Sequence, residues 1–190
     1  MVTSEISKRL IKQMKMKRIT DAAKTLLILA VFVLASCTQG GETDRMQATS
    51  NADKAPAFEV TTIDGETISL EQSLAEGKPV VVYFTASWCP TCARNWPAMS
   101  EVYPEYEDKL TLVAISIDPT DTADVIRKLS EERGFKFPST AGKPQIMIDF
   151  GVNGQATTVG VDRDGYIAFK KAGQALTVDE YRELFTGLLN

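Results

Sequence analysis

Two cysteines spaced as Cys89-Pro90-Thr91-Cys92, with a third at Cys37, are the side chains best suited to covalent chemistry in this sequence. A thiolate attacks a disulfide sulfur, and a second thiol close by can displace the first product. A Cys-x-x-Cys pair therefore suits dithiol–disulfide exchange, although the same two thiols also suit half of a soft-metal site. The chain has no histidine. That excludes Ser-His-Asp and Cys-His nucleophile pairs, His zinc ligands and an HExxH helix. There is no second Cys pair to complete a zinc site within the chain.

The elements around the pair decide between these chemistries. Pro79–Phe84 is a continuous apolar, β-branched run and predicts a strand buried on both faces. It leads through a short loop into Trp88 and the two cysteines. Beyond them, Ala93, Trp96, Met99, Val102, Tyr103 and Tyr106 fall at helical spacing, which predicts a helix from Pro90 to about Tyr106. Leu110–Ile117 predicts a second buried strand, and Asp121–Arg133 a polar-faced helix ended by Gly134. Strand, helix, strand, helix is the pattern of an α/β domain with parallel strands under covering helices. Phe58–Thr62 and Thr67–Leu70 flank Asp64-Gly65, a hairpin signal, and Thr157–Val161 and Tyr166–Lys170 flank Asp162-Arg163-Asp164-Gly165 in the same way. Thr177-Val178-Asp179-Glu180 is a capping box opening a last helix to about Leu189.

A cysteine where a strand gives way to a helix sits among unpaired N–H groups at the positive end of the helix dipole, and both favour its thiolate. Pro90 suits the first helical position, where its missing N–H costs nothing. Cys92 lies about one turn on, along the same face, within reach of Cys89 but sheltered from large substrates. The expectation is that Cys89 attacks and Cys92 resolves. A purely structural disulfide is the competing reading, but so small a loop constrains little of the unfolded chain.

The rest of the chain suggests where this happens. The formal net charge is −4, divided as +5 over residues 1–37 and −9 over residues 38–190. An acidic body argues against nucleic acid as a partner, and its acidic face reads as solvation. A basic start with Lys8, Arg9, Lys12, Lys15, Lys17, Arg18 and Lys24 precedes the apolar run Thr25–Ala35, a length that suits a signal peptide better than a membrane span. Leu34-Ala35-Ser36-Cys37 resembles the bacterial lipobox, in which the cysteine is lipidated. The organisation read here is a lipoprotein signal peptide over 1–36, a lipid-anchored flexible tether over 37–55 and a folded domain over 56–190. With Cys37 assigned to lipid, Cys89 and Cys92 lie in a compartment where disulfides persist.

The run GKPVVVYFTASWCPTCARNWP and the helix after it resemble the thioredoxin superfamily, and more closely its membrane-tethered TlpA/ResA-like thiol–disulfide oxidoreductases. The resemblance covers essentially all of 56–190. It implies a thioredoxin-like fold: a central mixed sheet, flanking helices and an added N-terminal β-hairpin, here Ala55-Pro56-Ala57-Phe58 with Asp64-Gly65. It implies that Cys89 and Cys92 form the redox disulfide, that Trp88 shields it, that Pro90-Thr91 resembles the reductants of cytochrome c maturation, and that Pro97 kinks the helix. It implies disulfide-bearing extracytoplasmic proteins as clients, a membrane electron donor of the DsbD/CcdA type, and no bound cofactor. Three residues depart from the family pattern. Ala156, before Thr157-Thr158, stands in place of a cis-proline; a cis bond there costs about 2.5–4 kcal/mol, so a trans bond is expected. Tyr83 replaces an acid in the strand, and Asn95 replaces a Glu on the helix, so both usual proton acceptors for Cys92 are missing.

Two other functions use the same residues. Loss of the proline at Ala156 opens the pair to a soft ion such as Cu(I), although a Sco-type copper chaperone would need Cys-x-x-x-Cys and a histidine. A peroxiredoxin-like antioxidant would need a threonine three residues before its cysteine, and Thr85 is four before Cys89.

Overall fold

The computed structural model describes residues 53–190. The signal peptide read over 1–36, Cys37 and the tether up to residue 52 lie outside the described residues. A small antiparallel hairpin, β1 (Glu59–Thr61) and β2 (Thr67–Ser69), comes first. Its turn needs the left-handed φ of 88° at Gly65, which glycine adopts without a Cβ clash. Helix α1 (Leu70–Ala75) follows, capped by the Ser69 hydroxyl on the Gln72 N–H. The alternation then begins: β3 (Val80–Thr85), α2 (Pro90–Val102), β4 (Thr111–Ser116), α3 (Ala123–Arg133), β5 (Ser139–Thr140), α4 (Pro144–Asp149), β6 (Thr157–Val161), β7 (Ile167–Lys171) and α5 (Val178–Leu189).

Helix α2 stops short of Tyr106, because its last turn tightens into a 3-10 segment at Tyr103–Glu105 that contains Pro104. Pro104 has no N–H to donate to the carbonyl four residues back, so the α-helical ladder stops there although Tyr103 keeps αR geometry. Helix α3 is capped by Thr122 and ends at Gly134 with φ 65°, and α5 opens with the complete capping box of Thr177 and Glu180. The elements α1, β5 and α4 have no counterpart in the sequence reading.

The five-stranded sheet has the order β5-β4-β3-β6-β7. Strands β3, β4 and β5 run parallel, while β6 is antiparallel to β3 and β7 to β6. This is the mixed sheet with flanking helices that the family resemblance implies, with the hairpin added before it. All six residues of β3 are buried. Val81 and Tyr83 face a core shared with Trp96, Met99 and Val102 of α2 and Tyr181 and Phe185 of α5. Val80, Val82 and Phe84 face Phe58, Phe150 and Val159 on the other side. Gly160 is set by close approach: a Cβ there would overlap the Phe169 ring.

Register fixes which loops meet. Thr85 pairs with Ser116 and Phe84 with Thr157, so the loops after β3 and β4 and the segment entering β6 converge at one end of the sheet. Val80 pairs with Val161, which puts the turn at 162–166 at the opposite end. Packing starts there, slightly ahead of Pro56. The Ala55 N–H donates to the Gly165 carbonyl at 2.9 Å, the Ile167 N–H donates to the Asp53 carbonyl at 2.9 Å, and Lys54 bridges Tyr166.

Candidate active site

Cys89 is the N-cap of α2, with extended backbone (φ −81°, ψ 113°). Its Sγ accepts the Cys92 N–H at 3.1 Å, so the sulfur already occupies the place where a helix N-terminus holds an anion. Cys89 and Cys92 are joined as a disulfide with their Cα atoms 5.2 Å apart. The pair is asymmetric: Cys92 has no exposed surface and Cys89 has 3%. Pro90 occupies the first turn and is exposed, and the Thr91 hydroxyl accepts from the Arg94 guanidinium at 3.1 Å.

Two carboxylates from the loop after β4 hold the loop before Cys89. Asp121 is buried, and its Oδ2 accepts the Ser87 N–H at 2.9 Å and the Ser116 hydroxyl. Asp118 Oδ2 accepts the Trp88 indole N–H at 2.6 Å, while its Oδ1 accepts the Thr120 N–H and hydroxyl. The Thr120 bonds, then the Trp88 indole, hold the Asp118 carboxyl below the usual carboxylate range. Trp88 is thus fixed by its nitrogen while 58% exposed, beside the disulfide and open to solvent. Gly142 supports this loop closely, since a Cβ on it would overlap the Asp118 carbonyl.

Beneath the cysteines, Tyr83 and Asn95 are both fully buried. The Asn95 amide nitrogen donates to the Thr91 carbonyl at 3.2 Å and the Gln174 carbonyl at 3.0 Å. Its oxygen accepts the Leu176 N–H and the Tyr181 hydroxyl, both at 2.8 Å. Asn95 therefore ties α2 to the β7–α5 connection and to α5. The Tyr83 hydroxyl approaches Asn95 and Thr85 but meets full hydrogen-bond geometry with neither. Burial, reinforced by the neighbouring Tyr181, pushes its acidity far down.

On the far side of the pair, the peptide before Ala156 is trans, as expected without a proline ring, and no cis bond occurs among the described residues. Ala156 instead takes a left-handed φ of 56°. Its carbonyl accepts the Gly173 N–H at 3.0 Å, and the Thr157 hydroxyl donates to the Gly154 carbonyl at 2.9 Å. Ala156 and both cysteines belong to one buried cluster. Thr85, the threonine nearest to a peroxidatic position, is turned to the core, where its hydroxyl accepts from the Trp96 indole at 3.3 Å. Among the described residues no three His, Cys, Asp or Glu side chains gather to hold a metal.

Every residue singled out in the domain thus lies at or under one end of the sheet. Sequence reasoning missed Asp118, Asp121 and Tyr181. For the two acids a signal existed: they follow the C-terminal end of a strand parallel to β3, and neighbouring parallel strands bring such loops together.

Comparison with known proteins adds the family. Residues 52–170 match the AhpC/TSA family model. The chain is 32% identical over 165 residues to the thiol-disulfide oxidoreductase ResA of Bacillus anthracis, covering 85% of this chain and 91% of that one. Among solved structures it is similar to a putative thiol:disulfide interchange protein DsbE from Chlorobium tepidum, with 27% identity, a TM-score of 0.62 and coverage of 73% of this chain and 97% of the other. A thioredoxin family protein of the same organism shares the fold at 23% identity and a TM-score of 0.65, over 74% and 99% of the two chains. With a Cys-x-x-Cys pair capping a helix at the end of a mixed sheet, the chain belongs to the AhpC/TSA family and, within it, to the thiol–disulfide oxidoreductases of the ResA kind.

Proposed function

We propose that the protein reduces disulfides of partner proteins outside the cytoplasm, held to a membrane by lipid on Cys37. The observation that carries the direction of attack is the asymmetry of the pair. Cys89 Sγ receives a helix N-terminal N–H at the rim of the site, whereas Cys92 is closed off beneath it. The reduced Cys89 thiolate attacks one sulfur of the client disulfide, and the other client sulfur leaves as a thiolate. The Cys92 thiolate then attacks Cys89 Sγ and releases the second client thiolate. Two electrons pass to the client, and Cys89–Cys92 is left as a disulfide. A membrane electron donor of the DsbD/CcdA type resets it, and cytochrome c maturation is the pathway the reading favours. Trp88, Pro90 and Thr91 form the surround that the client meets, Ala156 and Thr157 back it from the buried side, and no bound cofactor takes part.

The test is Cys92→Ser in the full chain, expressed in a bacterium that exports it. The variant is expected to accumulate mixed disulfides through Cys89 in the membrane fraction, and Cys89→Ser to abolish them. A Cys89–Cys92 reduction potential near or below about −250 mV supports a reductant, and one near about −120 mV reverses the direction. Tightly held metal with no reversible disulfide refutes the reading and favours the soft-metal alternative.

A further inference from the structure

Among the described residues, one buried side-chain polar atom has no hydrogen-bond partner: the hydroxyl of Tyr83. Buried donors are nearly always paired, so an orphan of this kind needs a physical reason. Tyr83 stands on the strand that delivers the disulfide, on the face that carries Cys89, Cys92, Trp96 and Met99. Its hydroxyl lies beside Asn95, which is three residues on from Cys92 along the same side of α2.

Both polar neighbours already have partners, and Thr85 Oγ1, which keeps a lone pair and a proton, does not reach hydrogen-bond geometry with Tyr83. Asn95 Oδ1 holds the Leu176 N–H and the Tyr181 hydroxyl, and Thr85 Oγ1 holds the Trp96 indole. What changes with redox state is the buried sulfur. In the disulfide, Cys92 Sγ is a poor acceptor, but once the bond opens it becomes a thiolate, a strong one. We infer that Tyr83 is a redox-state-dependent hydrogen-bond donor to Cys92, unpaired in the disulfide and satisfied in the dithiol, so that it favours the reduced form and assists the departure of Cys92. This rests on the oxidoreductase reading above.

The step balances without an added group. An incoming dithiol gives one thiolate, which attacks Cys89 Sγ; the Sγ–Sγ bond breaks and its electron pair stays on Cys92. Tyr83 turns its O–H towards that thiolate and keeps its proton. The second thiolate of the dithiol closes on the first and releases Cys89, and solvent supplies the protons that the two cysteines finally hold.

The experiment compares Tyr83→Phe with the wild-type full chain in detergent, equilibrated against dithiothreitol in its reduced and oxidised forms. Phenylalanine fills the same volume, so the core is kept. The expected result is a shift of the equilibrium towards the disulfide by about tenfold, which corresponds to a potential about 30 mV lower. The apparent pKa of Cys92, read from thiolate ultraviolet absorbance against pH in a Cys89→Ser background, should rise. Thermal unfolding of the oxidised variant should be no easier than wild type, while the reduced variant should unfold more readily. Tyr181→Phe, which removes a hydroxyl already paired to Asn95, should weaken both redox states alike. Normal exchange with the equilibrium unmoved in Tyr83→Phe overturns this inference alone, the hydroxyl then being satisfied by trapped water in both states. Absence of reversible exchange in the wild type overturns the oxidoreductase reading and this inference with it.

Discussion

Replacing Asn95 by alanine is expected to cost about 3–4 kcal/mol of folding stability, although residue 95 lies outside the Cys-x-x-Cys motif. Asn95 has no exposed surface and makes four hydrogen bonds: two donated to carbonyls and two accepted, from the Leu176 N–H and the Tyr181 hydroxyl. Each buried donor left without a partner costs about 1–3 kcal/mol. Leu176 is buried and loses its acceptor outright. Tyr181 keeps a longer contact to the Thr158 hydroxyl at 3.5 Å, so its loss falls at the low end. The Gln174 carbonyl turns to water at small cost, since Gln174 is exposed. A domain of this size has about 5–15 kcal/mol in all, so the variant keeps its fold with a thin margin. Urea unfolding under fixed oxidising conditions is the assay. With a slope of about 2 kcal/mol/M, the midpoint should fall by about 1.5–2 M. A loss below about 1 kcal/mol would refute the view of Asn95 as the tie between α2 and α5. Asn95→Asp adds a sign. A buried carboxyl facing two carbonyls prefers to be protonated, so its folded pKa rises above the unfolded value of about 3.9. Its stability is then fully present below that pH and lost as pH climbs through the folded pKa.

Three further outcomes follow from the geometry. Ala156→Gly removes a Cβ from a left-handed φ of 56° and should stabilise the domain by about 0.5–1 kcal/mol, read as a higher urea midpoint. Asp118→Ala frees the Trp88 indole N–H, so the fluorescence of that exposed tryptophan should change and kcat/KM towards a protein disulfide should fall, with the Cys89–Cys92 potential nearly unmoved. Burial, and then Glu107, push Tyr103 up to about 12 from an ordinary 10.0, which favours its protonated form in the fold. The stability this gives is present below about pH 10 and lost as pH rises towards 12, so alkaline unfolding should begin near pH 10.

The strand–loop–helix that holds the cysteines was legible because Val80–Phe84 and the apolar spacing of α2 are strong local signals, and Cys89 needs only its place at the helix start to act as a cap. The capping box at Thr177 was legible for the same reason. Elements of two to six residues, such as β5, α1 and α4, offer less than two full periods and leave no pattern to read. The site's second layer was harder still. The absence of an acid at Tyr83 and Asn95 was visible in the sequence. That Asn95 would instead bond residues 79 to 86 positions away, and that Tyr83 would be left unpaired, depended on how α5 lies across the sheet. The clamp of Trp88 by Asp118 spans 30 residues and appears only once β3 and β4 are set side by side in register.

The chain joins the domain at the turn between β6 and β7, where Asp53 and Ala55 are pinned, and the disulfide lies beyond the other end of β3. Six residues of strand separate the two by about 20 Å. The point where the chain is pinned and the point where it reacts are therefore set apart by the length of β3. A substitution at Asp53 or Ala55 therefore acts a full strand's length away from Trp88 and Cys89, through the sheet and not through the site.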